Sequence, residues 1–154
     1  MKRFRFSLQS VLAVREAKVD QAEAALAEQQ RTCRALRERL TRLRGAEAEA
    51  LAELAVGQGI AQPDPSHLPV RCAYLLGLGE QIKALEAKLT AEQAETVRLR
   101  QVLLERSREE QVIEHLKSRK IKIFRGEMAR EQQIEIDEVA GGRKVPGAFR
   151  GSVS

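Results

Sequence analysis

From Ser7 to about Val56 the apolar residues return every three or four positions: Leu8, Leu12, Val19, Ala22, Leu26, Cys33, Leu36, Leu40, Leu43, Ala50 and Leu54. The step averages about 3.5 residues over about seven heptads, the seam of a coiled coil. Only one glycine, and no proline, falls inside this stretch. Ser7 is placed to cap the helix, with Phe6 and Val11 spaced as a hydrophobic staple. The pattern then breaks at residues 57–69, GQGIAQPDPSHLP, where two glycines and three prolines exclude a continuous helix. A second helix is expected from near Pro69, a residue tolerated in a first turn, to about Ala140. Its seam reads Leu75, Leu78, Ile82, Leu85, Leu89, Leu99, Leu103 and Ile113. Gly77 and Gly79 weaken its first turns by about 1 kcal/mol each relative to Ala. Gly141 and Gly142 are expected to stop it.

Two long helices joined by a short break predict an all-α fold, an antiparallel coiled-coil hairpin over residues 1–140. Residues 141–154, basic and rich in Gly and Ser, are expected to be a disordered tail. In an antiparallel pair, facing positions have numbers with a constant sum. A sum of 125 sets Leu12 against Ile113, Ala22 against Leu103, Leu26 against Leu99, Leu36 against Leu89, Leu40 against Leu85 and Leu43 against Ile82. It also sets Arg15 against Glu110 and puts the midpoint inside the Gly/Pro break. The paired part would be about 75 Å long. Beyond Phe124 helix 2 has no partner in this register. RGEMAREQQIEIDEVA then either projects as a docking element, through Ile134, Ile136 and Val139, or frays and folds back. Phe4 falls opposite Ile121, so Phe4, Phe6 and Phe124 would gather together. They would clamp the open end of the pair, or Phe4 would be disordered.

Composition agrees with long helices. Of 154 residues 32% are charged, only 3% are aromatic and Trp is absent, so the chain can bury a narrow seam but no thick core. The net charge is +5, and acids and bases interleave as on a solvated helical surface. The excess collects at Lys2, Arg3, Arg5 and Arg15, and in HLKSRKIKIFR at Lys117, Arg119, Lys120, Lys122 and Arg125. Two cysteines, Cys33 and Cys72, with no CxxC spacing, give no disulfide framework or metal motif and fit a reducing compartment. MKRFRFSLQSVLAVREA imitates a signal peptide, but its apolar run is short and broken and lacks a cleavage site. CAYLLGLG is too short to span a bilayer. A soluble protein is expected.

No catalytic constellation is visible. His67 and His115 stand apart from any metal-ligating set and read as surface histidines. GQGIAQ lacks the GK[ST] ending and preceding strand of a phosphate loop. Two paired helices offer no concave site to exclude water. No enzyme and no cofactor is expected. KSRKIKIFR would suit phosphate contacts, but no nucleic-acid reading motif surrounds it. A membrane-surface helix is disfavoured because the partner helix already needs the apolar face. An elongated interaction protein remains.

Three stretches carry a resemblance. FRFSLQSVLAVRE, with alternating aromatic and basic residues before a Leu-x-x-Val-Leu-x-x-Arg pattern, resembles the opening of the FliJ family of flagellar type III export proteins. GQGIA followed by YLLGLGEQI resembles the family's turn, and REQQIEIDEVA its closing Arg-Glu-Gln…Asp-Glu-x-Ala pattern. The likeness covers residues 4 to about 140, and the two termini are its specific part. It implies an antiparallel coiled coil similar to the central stalk of a rotary ATP synthase. The implied partners are the FliI-type export ATPase hexamer, the FlhA-type export gate and export chaperones, with no nucleic acid and membrane contact only through the export complex. The implied location is cytoplasmic, at the inner membrane of the flagellar base. By this likeness Phe4, Phe6, Arg15 and the stretch Arg119 to Asp137, with Lys120, Lys122, Phe124 and Arg130, would meet the ATPase ring; Lys117, from the basic excess, and Glu138 are further candidate partner-binding residues. Tyr74 and Leu78 would correspond to the gate-binding part, although Leu78 also lies on the seam. A virulence-type secretion stalk is the alternative within the class, and a nucleic-acid-binding coiled coil the alternative outside it. The Pro-rich turn and Gly-rich tail depart from the family pattern.

Overall fold

A computed structural model of the chain describes residues 2–59 and 66–142. Two long helices pack against each other, α1 (Gln9–Gly59) and α2 (Leu68–Gly142), and no strand occurs among the described residues. The helix ends differ from the expected ones in informative ways. α1 begins at Gln9 rather than Ser7: its first i→i−4 bond runs from the Leu12 N–H to the Leu8 carbonyl at 2.9 Å, and the Gln9 N–H donates to the Phe6 carbonyl at 3.1 Å. The buried Phe6 backbone thus does what a Ser7 hydroxyl was expected to do. Val11, expected to staple onto Phe6, stays 37% exposed. Gly57 and Gly59 continue α1 past the expected stop at Val56, and α2 carries on through Gly141 and Gly142. Glycine lowers helix propensity without forbidding helix, whereas proline removes a donor and clashes with the preceding turn. The expected disordered tail lies, apart from Gly141 and Gly142, outside the described residues, as do Ile60 to Pro65 of the break.

The chain divides into two compact units, one of residues 17–107 and one of residues 1–16 with 108–154. In the first, Leu40, Ile82 and Leu85 form a buried cluster against which Leu36, Leu43 and Leu89 pack. These six residues are the three pairs that the register with a sum of 125 sets face to face. The antiparallel sense is visible in the polar bridges too: Gln29 reaches Glu92, and Arg44, further along α1, reaches Glu86, earlier on α2. Every apolar position assigned to the seam is buried or half-buried. Burial of a narrow stripe, rather than of a thick interior, leaves no large side chain fully buried among the described residues.

The seam also holds polar residues that the apolar pattern skips. Between Leu89 and Leu99 the inward positions are Glu92 and Thr96, and Thr96 is buried. Its hydroxyl donates to the Glu92 carbonyl of its own helix at 3.0 Å and lies 3.5 Å from the Cys33 sulfur. The Gln29 amide donates to both the carbonyl and the carboxylate of Glu92. All these groups satisfy one another, so the polar layer costs packing without stranding a buried polar atom. Nearby, Arg34, Arg37 and Arg100 line a groove of about 420 Å³.

Candidate partner-binding surface

The unit of residues 1–16 and 108–154 brings together most of the candidate residues. Phe6 is buried, and the Lys120 ammonium lies 5.8 Å from the centre of its ring, within reach of a cation–π attraction. Phe4 stacks obliquely on Phe124, with centroids 5.6 Å apart and planes at 56°. Of the three rings expected to gather, Phe4 and Phe124 meet, while Phe6 lies beneath Lys120. Phe4, numerically opposite Ile121, finds Phe124 because the segment before Gln9 is not helical and advances further per residue than a helix does. A ring at Phe4 gains more from a second ring than from an aliphatic neighbour.

Polar contacts continue this pairing. Arg15 bonds Glu109, beside the Glu110 that the register sets opposite it. Lys2 bonds Glu131 at 2.6 Å. The hydrogen bond to Glu131, then that carboxylate's charge, hold the Lys2 ammonium above its usual pKa against an opposing effect of desolvation, with a smaller contribution from the charge of Glu127. That contact revises one expectation: residues beyond Phe124 do have a partner, since the N-terminal segment reaches a full two turns further along α2. From Ala129 onward every described residue is nevertheless exposed, including Ile134, Ile136 and Val139. This stretch stays helical to Gly142.

Beside the aromatic pair lies a groove of about 530 Å³ lined by Arg3, Phe4, Arg5, Lys120, Ile123, Phe124 and Glu127. Among the described residues Arg3, Arg5, Lys117, Arg119, Lys122 and Arg130 form no ion pair. These cations are exposed, except Lys117, which is half-buried. The groove thus joins the apolar side chains of Phe4, Ile123 and Phe124 to three cations, Arg3, Arg5 and Lys120, and one acid, Glu127. Asp137 and Glu138 are exposed near the end of α2, with Asp137 accepting from Gln133.

Tyr74 and Leu78 belong to the other unit and divide cleanly. Leu78 is 5% exposed and forms part of the seam, whereas Tyr74 is 55% exposed. Leu78 is therefore a packing residue, and Tyr74 is the one able to touch a partner. One grouping escaped sequence reading: carboxylates of Glu16, Glu110 and Glu114, from two helices, approach within 4.8 Å. Only the facing of α1 and α2 reveals it, since Glu110 and Glu114 alone are an ordinary i,i+4 pair. Among the described residues no helix is long and apolar enough to cross a membrane.

Known proteins resemble the chain in family and in fold. The family model for FliJ, described as the flagellar FliJ protein, matches residues 4–143. Among solved structures the chain is similar to CT670 from Chlamydia trachomatis, described as a YscO homolog. The TM-score is 0.59 at 21% identity, covering 90% of this chain and 94% of that one; at this identity the likeness concerns the fold. No curated protein sequence matches.

Proposed function

The chain belongs to the FliJ family, and from that premise we propose that it is a soluble component of the flagellar type III protein export apparatus. It acts there as a coiled-coil stalk. It binds the ring of the export ATPase and the export gate, promotes ATPase assembly and activity, and escorts export chaperones. The observation that carries this reading beyond family membership is the groove framed by Arg3, Arg5 and Lys120 around the Phe4–Phe124 pair. An acidic ring lumen would complement it, and an asymmetric contact would favour whichever ATPase subunit conformation it binds best. Tyr74, exposed on the other unit, is the candidate contact for the gate.

The test is direct. The purified chain is added to the export ATPase, and hydrolysis and ring assembly are followed over a range of salt. Stimulation that falls with salt, and that is lost when Lys117, Lys120 and Lys122 are changed together to Gln, supports the reading. Unchanged stimulation in that variant removes the electrostatic part, and absence of any binding removes the proposal. A pull-down after nuclease treatment separates export from nucleic-acid binding. Retention of the ATPase is the expected result. The chain's fold is also that of CT670, described as a YscO homolog, but the match to a flagellar family model over nearly the whole chain favours the flagellar role.

A further inference from the structure

One length of the helix pair carries more positive charge than its own acids answer. Residues 31–44 of α1 hold six arginines and a single acid, Glu38. Beside them, the stretch of α2 from Glu86 to Arg100 has three bases and three acids. All three acids are engaged: Glu86 by Arg44, Glu92 by Gln29 and Glu95 by Arg98. Arg31 is matched by Glu28. Arg34, Arg37 and Arg100 are exposed, and none is in an ion pair among the described residues. These three, two from α1 and one from α2, line the groove of about 420 Å³ in the unit of residues 17–107.

The groove exists because leucine gives way at two facing seam positions to Cys33 and Thr96, both buried, whose smaller side chains leave a depression between the helices. Gln30 and Gln93 stand on its two sides, and no acid lines it. On this side of the pair Glu38 comes one turn after Arg34, and Glu23 about two turns before Gln30; neither reaches the groove or bonds its arginines. Elsewhere a cation beside the seam meets an acid of the other helix, as Arg15 meets Glu109 and Arg44 meets Glu86. Here the other helix offers Gln93 and Val97 instead. Arg34 and Arg37 also stand one turn apart, and like charges at that spacing oppose the helix. The donors are three guanidiniums, whose planar forks fit phosphate oxygens, and two carboxamides. A chain of phosphoryl groups can meet arginines from two helices at once, which a lone carboxylate cannot. Val97 is the one large apolar side chain in the lining, too little for the apolar face of a docked helix.

We propose that this groove binds an oligophosphate, the triphosphate of a nucleotide or a free inorganic polyphosphate, through Arg34, Arg37 and Arg100, with Gln30 and Gln93 donating from its sides. The site shares no residue with the surface assigned to the export ATPase and the gate, and it stands whether or not that reading holds.

The probe is sodium triphosphate, titrated calorimetrically into the full chain at low salt, with sulfate at matched ionic strength as the reference. Saturable binding of one triphosphate per chain is expected, about tenfold or more tighter than sulfate. Arg100→Gln, and the pair Arg34→Gln with Arg37→Gln, should each weaken it by about tenfold, since all three side chains are exposed and leave the seam intact. Gln93→Glu supplies the missing acid, so it should weaken triphosphate to a similar extent while raising the thermal midpoint. Arg39→Gln with Arg42→Gln removes as much charge from the same stretch, outside the groove, and should cost less than about twofold. Circular dichroism checks that each variant remains helical. ATP binding as tightly as triphosphate identifies a nucleotide as the source of the phosphates, and triphosphate binding without ATP binding identifies a free polyphosphate. The proposal is overturned if triphosphate binds no better than sulfate, or if the Arg39 and Arg42 pair costs as much as the groove pair, which would mean a diffuse field. It is equally overturned if a short RNA or a Glu-rich peptide binds more tightly than triphosphate with the same dependence on the groove arginines.

Discussion

Phe4 and Phe124, from opposite ends of the sequence, meet with centroids 5.6 Å apart and ring planes at 56°. This is the tilted geometry that aromatic pairs favour, and such pairs contribute about 0.5–1.5 kcal/mol beyond the area they bury. In a chain with only four phenylalanines, the contact fixes the N-terminal segment along α2. A double-mutant cycle of Phe4→Leu and Phe124→Leu should therefore give a coupling of about 1 kcal/mol in denaturant unfolding. Additive losses would mean that the rings merely lie near each other.

Leu78 and Tyr74 sit one turn apart and should behave oppositely. Leu78→Ala removes a buried seam side chain and should cost about 2–3 kcal/mol, the low end for core leucines because the seam is narrow. Tyr74→Ala should change stability by less than about 0.5 kcal/mol. Under the proposed function it should weaken binding to the export gate, whereas Leu78→Met should not. Gate binding is read by surface plasmon resonance and stability by urea titration. Equal destabilisation by Leu78→Ala and Tyr74→Ala would contradict the burial difference.

The heptads made the seam legible because burial in a two-helix pair follows apolar spacing alone. Leu36, Leu40 and Leu43 could be matched to Leu89, Leu85 and Ile82 on paper, and they form the observed cluster. What stayed hidden was polar or lay off that face. Thr96 is buried although Thr is no heptad marker: it holds the seam position between Leu89 and Leu99, where its hydroxyl lies against Cys33. Lys2 could not be paired with Glu131 by a helical register, since an extended segment follows a different rise per residue. The basic and aromatic character of the surface was plain in the composition of both termini, but the groove they frame depends on Phe4 leaving the helical path.

Lys2 gives the N-terminal segment an alkaline limit. Its pKa is raised by the hydrogen bond to Glu131 and by the charges of Glu131 and Glu127. A raised folded-state pKa contributes stability in full below the unfolded value. That contribution is lost as the pH climbs through the folded one. The segment should therefore hold through neutral pH and loosen above about pH 10.5. Aromatic NMR shifts of Phe4 should move in that range, and Lys2→Met should abolish the movement. The pair is exposed, so added salt should blunt the effect as well. A transition centred below the ordinary lysine range would point to a different group.

The Cys33–Thr96 layer sets a test of what a polar seam position is for. Replacing Thr96 with Val keeps the shape and removes the hydroxyl. No acceptor is stranded, because the Glu92 carbonyl still receives the Gln29 amide at 3.1 Å, and Cys33 loses only a weak partner at 3.5 Å. Thr96→Val should therefore be neutral or stabilising by up to about 1 kcal/mol. Specificity should move the other way. A slip by one heptad, about 10 Å along the axis, also aligns apolar residues, and the native polar layer penalises it by burying Thr96 against the wrong neighbour. Spin labels placed at Arg37 on α1 and Gln93 on α2 should give one distance in the native chain. In a Thr96→Val, Cys33→Val variant they should give a broader or doubled distribution. A single unchanged distance in that variant would show that the leucine cluster alone sets the register.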